Sequence, residues 1–424
     1  METTETRASV SQRLLWMIKH YREDFGALNC PVVCRLTGPL DPDRLHTALG
    51  ALAARHESLR TTFHGRGARL VQRVHPPGEP EVTWHEVASA QAATEALTAE
   101  LRTRIDPERW PARVTVWRQG PDEHLLCLNL HHLVTDAWST GILLRDLVAC
   151  YDRAAGGSAT LPAPGWSAAR FARAQQEMLG TDRLGRHQQY WRRQLAGARV
   201  PRLDALGITE GASRSVAADL PATTVTTLRE LALRERTTMF AVLLALFHAQ
   251  LYRTTDQDDL AVASMFANRD RPELRETVGL LAGMVLLRAR PGRAHRFTDL
   301  LREVHGTVIG AFTHQELPFQ LLPGDLVDTG GGRADDVMFN VMTPVRHRLS
   351  AGDVHFELVV PTEIGSRFPF ELALAPVGEQ RLQAVLFQAG DGTAAADFLA
   401  GYVELATAVA AEPGLRLSRV SHAY

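Results

Sequence analysis

Lysine is almost missing from this chain. Lys19 is the only one among 46 basic side chains, the rest being arginine. With so much alanine beside it, the bias reads as GC-rich coding rather than arginine-specific ligand recognition. Cysteine is scarce too. Cys30, Cys34, Cys127 and Cys150 form no C-x-x-C pair, which excludes a disulfide scaffold and predicts reduced thiols. A surplus of charge is absent: 46 basic residues face 48 acidic ones, for a net charge of -2. No global field therefore draws the protein to nucleic acid or an anionic membrane, and neither is expected as a partner. No apolar run is expected to approach the roughly 18 residues of a membrane span. The best stretch, 239–251, is broken by His248 and Gln250. The opening METTETRASVSQ lacks the charged-then-apolar pattern of a signal peptide. A cytoplasmic location is expected. No grouping of ligands suggests a metal, and no G-x-S-x-G suggests a serine hydrolase.

What is present is ordinary globular material. At 424 residues and 45% hydrophobic, the chain has ample core for two or three domains of about 150 residues each. Helices and strands alternate loosely. Asp41-Pro42 starts a helix as N-cap and first-turn proline, and it runs to about 56. Strands are expected at 31–36, 260–266 and 278–288, and a hairpin at 113–118 and 124–130. Helices are expected at 139–154, 239–252, 298–312 and 394–411, and 327–336 reads as a loop. The Gly/Ala/Pro-rich stretch 155–165 reads as a linker. The reading is two α/β lobes of an α/β (α+β) protein, 1–170 and 171–424.

One string carries chemistry. Residues 125–139, LLCLNLHHLVTDAWS, place an apolar strand before His131-His132, with Asp136 four residues on. Adjacent strand residues face opposite ways, so one histidine can face an open channel while its neighbour packs inward. A neutral imidazole is a natural base near pH 7. Asp136 either orients the loop or holds a nearby cation. Two satisfied polar residues at a sheet end is the competing reading.

HHLVTDAWS resembles the HHxxxDG signature of condensation domains of nonribosomal peptide synthetases, which belong with chloramphenicol acetyltransferase-like acyltransferases. Other strings agree in family order. Residues 9–17 (SVSQRLLWM) resemble S-x-A-Q-x-R-L-W-x-L, and 55–63 (RHESLRTTF) match R-H-E-x-L-R-T-x-F. Residues 278–288 (VGLLAGMVLLR) are similar to I-G-x-F-V-N-T-x-x-x-R, and 314–320 (HQELPFQ) to H-Q-D-x-P-F-E. Departures are Ala137 for the usual glycine, Gly283 for the usual asparagine, a weak 166–173 (WSAARFAR), and a seventh motif hardly recognisable at 333–341.

The resemblance implies two chloramphenicol acetyltransferase-like lobes in a V-shaped pseudo-dimer with a central tunnel. It makes His132 the catalytic residue, supported by His131, Asp136, Trp138 and Ser139. Asp136 would pair with an arginine, for which Arg60 and Arg288 are the candidates. Ala137, Gly283, Pro318 and Phe319 are substrate-tunnel candidates; for the last two, plain core packing is the even alternative. The implied enzyme is a free-standing, monomeric acyltransferase that joins a carrier-bound acyl or aminoacyl thioester to an amine or hydroxyl, giving an amide or ester in natural-product biosynthesis. It binds no cofactor itself. A partner acyl or peptidyl carrier protein, acting in trans, brings the phosphopantetheine arm, and the nucleophile is a small molecule or carrier-bound. Two alternatives remain: a non-catalytic domain that recruits a tailoring enzyme, and an acyl-CoA-dependent acyltransferase. RHESLRTTF argues against the latter.

Overall fold

A computed structural model describes residues 3–21, 28–293, 295–342, 348–359, 366–377, 381–390 and 392–417. The chain separates into two compact units. The first comprises Met1–Thr181, Ala267–Ala282 and Val345–Ile364, and the second Asp182–Phe266, Gly283–Pro344 and Gly365–Tyr424. The division falls at 181/182 rather than 170/171, because the helix Ala168–Leu179 belongs to the first unit. Two later segments also return to that unit, so neither unit is one continuous stretch.

The first unit holds helices α1 (Val10–Tyr21), α2 (Pro42–Arg55), α3 (Ala90–Arg102), α4 (Ala137–Ala154) and α5 (Ala168–Leu179). Its main sheet runs, in spatial order, Arg348–Ala351, Val354–Val359, Val32–Thr37, Glu123–Leu130, Ala112–Arg118 and Val82–Glu86. Val354–Val359 is the reason segment 345–364 belongs here: it pairs antiparallel with Val32–Thr37. Val32, Cys34, Leu36, Leu126, Leu128 and Leu130 pack with Leu45, Leu49 and Leu52 of α2 and Leu144 and Val148 of α4. Val33, Leu125 and Cys127 pack with Ala93 and Leu97 of α3. Because both faces are covered, 125–130 is apolar on both faces except at Asn129 rather than alternating. Asp41 caps α2 as expected, its carboxylate accepting from the N–H groups of Asp43 and Arg44. The Thr4–Arg7, Val71–Val74 and Thr61–His64 strands make a small separate sheet.

The second unit holds α6 (Arg183–Leu195), α7 (Ala222–Arg234), α8 (Met239–Thr255), α9 (Phe297–His314) and α10 (Thr393–Ala411). Its main sheet runs, in spatial order, Gly283–Ala289, Leu260–Phe266, Val337–Val341, Phe370–Val377, Arg381–Ala389 and Ser213–Leu220. Helix α10 corrects one expectation: Ala394–Ala411 is long and apolar enough to cross a membrane by length and composition. Its Phe398, Leu399, Tyr402, Leu405, Ala406 and Val409 are nevertheless buried. Eight of its residues are alanine, and Asp397 and Glu404 interrupt it, which is why the stretch does not read as one apolar run.

Three other differences have simple causes. Val82–Glu86 and Ser213–Leu220 are edge strands with mostly exposed or half-buried residues, so they lack an apolar signal. The 327–336 loop contains a two-residue strand, Val327–Asp328. The strand expected at 278–288 begins only at Gly283, because the N–H groups of Leu281 and Ala282 point at a carboxylate instead of a neighbouring strand.

Candidate active site

The Glu123–Leu130 strand stops where the chain tightens. His131 forms an isolated bridge with Asn29, and residues His132–Val134 make one 3-10 turn. Backbone bonds fix the change of direction: His131 N–H donates to the Pro111 carbonyl at 2.8 Å and His132 N–H to that of Leu28 at 2.7 Å. The two histidines do diverge, His131 buried and His132 half-buried. The cause is the turn, not strand alternation.

Ring chemistry separates them further. His132 Nδ1 lies 2.7 Å from the Thr135 carbonyl oxygen. A carbonyl only accepts, so Nδ1 carries the hydrogen, and the neutral ring has its lone pair on Nε2. His131 holds the opposite tautomer, its Nδ1 accepting from the Leu133 N–H at 3.1 Å. The neighbouring rings thus have their roles assigned by backbone groups of one turn.

Asp136 ends that turn and caps α4. Its carboxylate collects six donors. Arg269 donates from Nη1 to Oδ2 at 2.8 Å and from Nη2 to Oδ1 at 3.0 Å. Ser139 adds its hydroxyl at 2.8 Å and its N–H at 3.1 Å, both to Oδ1. The N–H groups of Leu281 and Ala282 reach Oδ2 at 3.1 and 3.2 Å. Burial by itself would raise the Asp136 carboxyl; the Arg269 charge and the donors from Arg269, Ser139 and Leu281 outweigh it and hold the group below the usual carboxylate range. Arg269 is tied in turn to the carbonyls of Ala267, Thr277 and Gly279. Asp136 therefore ties the turn to Arg269, Ser139 and the Leu281–Ala282 backbone.

Neighbouring motif residues brace the same place. Ser139 Oγ accepts from the Gly279 N–H at 3.1 Å. Trp138 Nε1 donates to the Arg275 carbonyl at 3.0 Å. Ser58 Oγ donates to the Val278 carbonyl at 2.6 Å. Gly279 has to be small, since a Cβ there would stand 2.7 Å from the Ala168 Cβ. Behind α4, Arg55 and His56 both bond Asp146 Oδ2, at 2.7 and 2.9 Å, while Arg145 bonds Oδ1. RHESLRTTF is thus largely a clamp between α2 and α4. Ala137, the alanine in the glycine position, is exposed at the first turn of α4.

Neither arginine expected beside Asp136 is there. Arg60 Nε donates to the Ala53 carbonyl and its Nη1 to that of His75. Arg288 pairs bidentately with Asp259 and donates to the Gln194 and Ala196 carbonyls at the end of α6, where a cation suits the helix dipole. Gly283, Pro318 and Phe319 lie in the second unit. Gly283 is a ladder residue opposite Phe266; Pro318 is buried and begins the Phe319–Leu321 3-10 turn. The residue that the sequence reading missed is Arg269. Its signal was modest: an Asn-Arg-Asp string directly after the Leu260–Phe266 strand, with Asn268 at a left-handed φ of 51°. Loops at strand ends are where such residues collect.

A family model described as Condensation domain matches residues 2–380. Phosphinothricin tripeptide synthetase PhsC of Streptomyces viridochromogenes is 35% identical over 330 residues, 74% of this chain and 30% of that protein. Chondramide synthase cmdD of Chondromyces crocatus is 34% identical over 75% of the chain and 8% of its own length. The chain thus spans less than a third of either relative. Among solved structures, the X-domain from teicoplanin biosynthesis has a TM-score of 0.82 at 22% identity, covering 98% of this chain and 97% of that one. The first condensation domain of the calcium-dependent antibiotic synthetase has a TM-score of 0.81 at 19% identity, covering 99% of both.

Proposed function

The chain belongs to the condensation-domain family and has its chloramphenicol acetyltransferase-like fold, and from that premise we propose that it is an acyltransferase joining a carrier-bound acyl or aminoacyl thioester to an amine or hydroxyl. One observation carries the reading. The 2.7 Å bond from His132 Nδ1 to the Thr135 carbonyl leaves the lone pair of the neutral ring on Nε2, as a base needs. The nucleophile attacks the thioester carbonyl carbon, the C–S bond breaks, and an amide or ester forms. His132 Nε2 takes the proton from the attacking nitrogen or oxygen and passes it to the departing thiolate. Base catalysis of this kind is worth about 10²–10⁴-fold, so positioning of the two reactants must supply much of the rest. Asp136 and Arg269 keep the turn rigid rather than touching substrate.

The thioester partner is a carrier protein whose phosphopantetheine arm presents the acyl group. The test is a carrier loaded with a panel of acyl and aminoacyl groups, mixed with candidate amines and alcohols and followed by mass spectrometry. Wild type should transfer at least one donor. His132→Ala should lose product formation while keeping a wild-type circular dichroism spectrum and melting temperature. Unchanged turnover in that variant would sink the base role. No transfer by wild type, together with tight binding of a tailoring oxidase, would instead favour a recruiting domain like the X-domain.

A further inference from the structure

We infer that Gln12 is a positioning residue for His132, an inference that rests on the acyltransfer reading above. Ser9 and Gln12 form a reciprocal cap at the start of α1. Ser9 N–H donates to Gln12 Oε1 at 2.8 Å, and Gln12 N–H donates to Ser9 Oγ at 3.2 Å. In most helices such a pair only closes the helix end. Here the amide also reaches the histidine turn, where Gln12 Nε2 donates to the carbonyl of Leu133 at 3.2 Å. Both Ser9 and Gln12 are 2% exposed.

The orientation of the amide is set by its neighbours. Oε1 faces an N–H donor and Nε2 faces a carbonyl acceptor, and the flipped amide would oppose like groups at both ends. Leu133 directly follows His132 in the 3-10 turn. Its N–H is held by His131 Nδ1 and its carbonyl by Gln12. The peptide units between His132 and its acceptor, the Thr135 carbonyl, therefore have little freedom. Asp136 secures the turn from its C-terminal side, and Gln12 secures its middle. Without the Gln12 bond, a buried carbonyl inside the catalytic turn loses its side-chain donor and the turn can rotate to find another. His132 Nδ1 would then lose its fixed acceptor and the ring its tautomer. A displacement on the order of 1 Å costs about 10²-fold in rate.

Two substitutions separate capping from positioning. Gln12→Glu keeps an oxygen for the Ser9 N–H but, when ionised, offers no donor to Leu133. Ser9→Ala weakens the cap and leaves the Gln12 donor in place. At pH 8 with acyl-loaded carrier, Gln12→Glu should lower kcat about 10- to 100-fold with little change in KM for the carrier. Ser9→Ala should lower the melting temperature with kcat within about twofold of wild type, as expected when only a cap is lost. The ¹⁵N spectrum of the His132 ring, assigned by difference from His132→Ala, should show the Nδ1–H form in wild type and Ser9→Ala but a tautomer mixture in Gln12→Glu. A Gln12→Glu protein with wild-type kcat and an unchanged His132 signal would overturn the inference. If wild type itself transferred no acyl group, the acyltransfer reading would fail, and the ring spectrum would still decide whether Gln12 holds the turn.

Discussion

Asp136 and Arg269 are 133 residues apart in sequence and form a two-pronged ion pair at 2.8 and 3.0 Å with both side chains almost fully enclosed. Breaking one member of such a pair strands the other as a buried charge, which costs about 3–5 kcal/mol. Arg269→Ala should therefore lower stability by about that amount and lose the proposed acyl transfer. Arg269→Lys keeps the charge but not the fork, and it should recover only part of either. Denaturant melts beside turnover assays measure both.

Gly279 should tolerate no side chain. Gly279→Ala places a methyl 2.7 Å from Ala168 Cβ, in the loop that donates to Ser139 and Asp136. A stability loss of about 1–3 kcal/mol is expected from overpacking. Adding Ala168→Gly should recover only part of that loss, because Gly279 also sits at a φ of +157° with Leu281 Cδ1 at 3.1 Å from the new methyl. Equal melts for the single and double variants would mean that the contact with Ala168 is not what excludes the methyl.

The Asp146 clamp predicts acid sensitivity of one sign. Burial raises this carboxyl, but hydrogen bonds from His56, Arg55 and Arg145 prevail and bring it down to about 2 from 3.8. A depressed carboxyl stabilises the fold above its unfolded value, and that contribution is lost as pH falls from about 4 toward 2. At 1.36 kcal/mol per unit it is worth about 2–3 kcal/mol. Asp146→Asn should be less stable than wild type by roughly that much at pH 7, and the gap should close by about pH 2. Urea melts across pH measure the gap.

His248 predicts a second, earlier acid limb. It is fully buried in α8, and burial pushes the ring down to about 3 from 6.5. The unfolded chain then binds the proton more readily, so stability is complete above about 6.5 and falls as pH drops toward 3. The slope should approach about 1.4 kcal/mol per pH unit. His248→Phe should flatten that limb even if the packing change shifts the overall level.

Much of this was legible in the amino-acid string, and the rest was hidden for physical reasons. Asp41-Pro42 announced a helix start because capping is local. The HHLVTDAWS string exposed His132 and Asp136 because the turn and the cap lie within five residues of each other. Arg269 was not legible as their partner, since an ion pair across 133 residues leaves no mark at short range. Arg60 and Arg288 stood in more recognisable strings, yet each serves another carbonyl set. The Val82–Glu86 and Ser213–Leu220 strands escaped because an edge strand with polar faces has no periodicity to betray it.

The return of 267–282 to the first unit sets where this protein can be cut and recombined. A fragment ending at residue 181 would carry His132 and Asp136 but leave behind Arg269, Leu281 and Ala282, and with them four of the six donors to the Asp136 carboxylate. A chimera that grafts the first unit with its histidine turn from one relative onto another must move residues 267–282 and 345–364 along with 1–181. The transferable cassette is discontinuous, and crossovers chosen by linear position alone will break it.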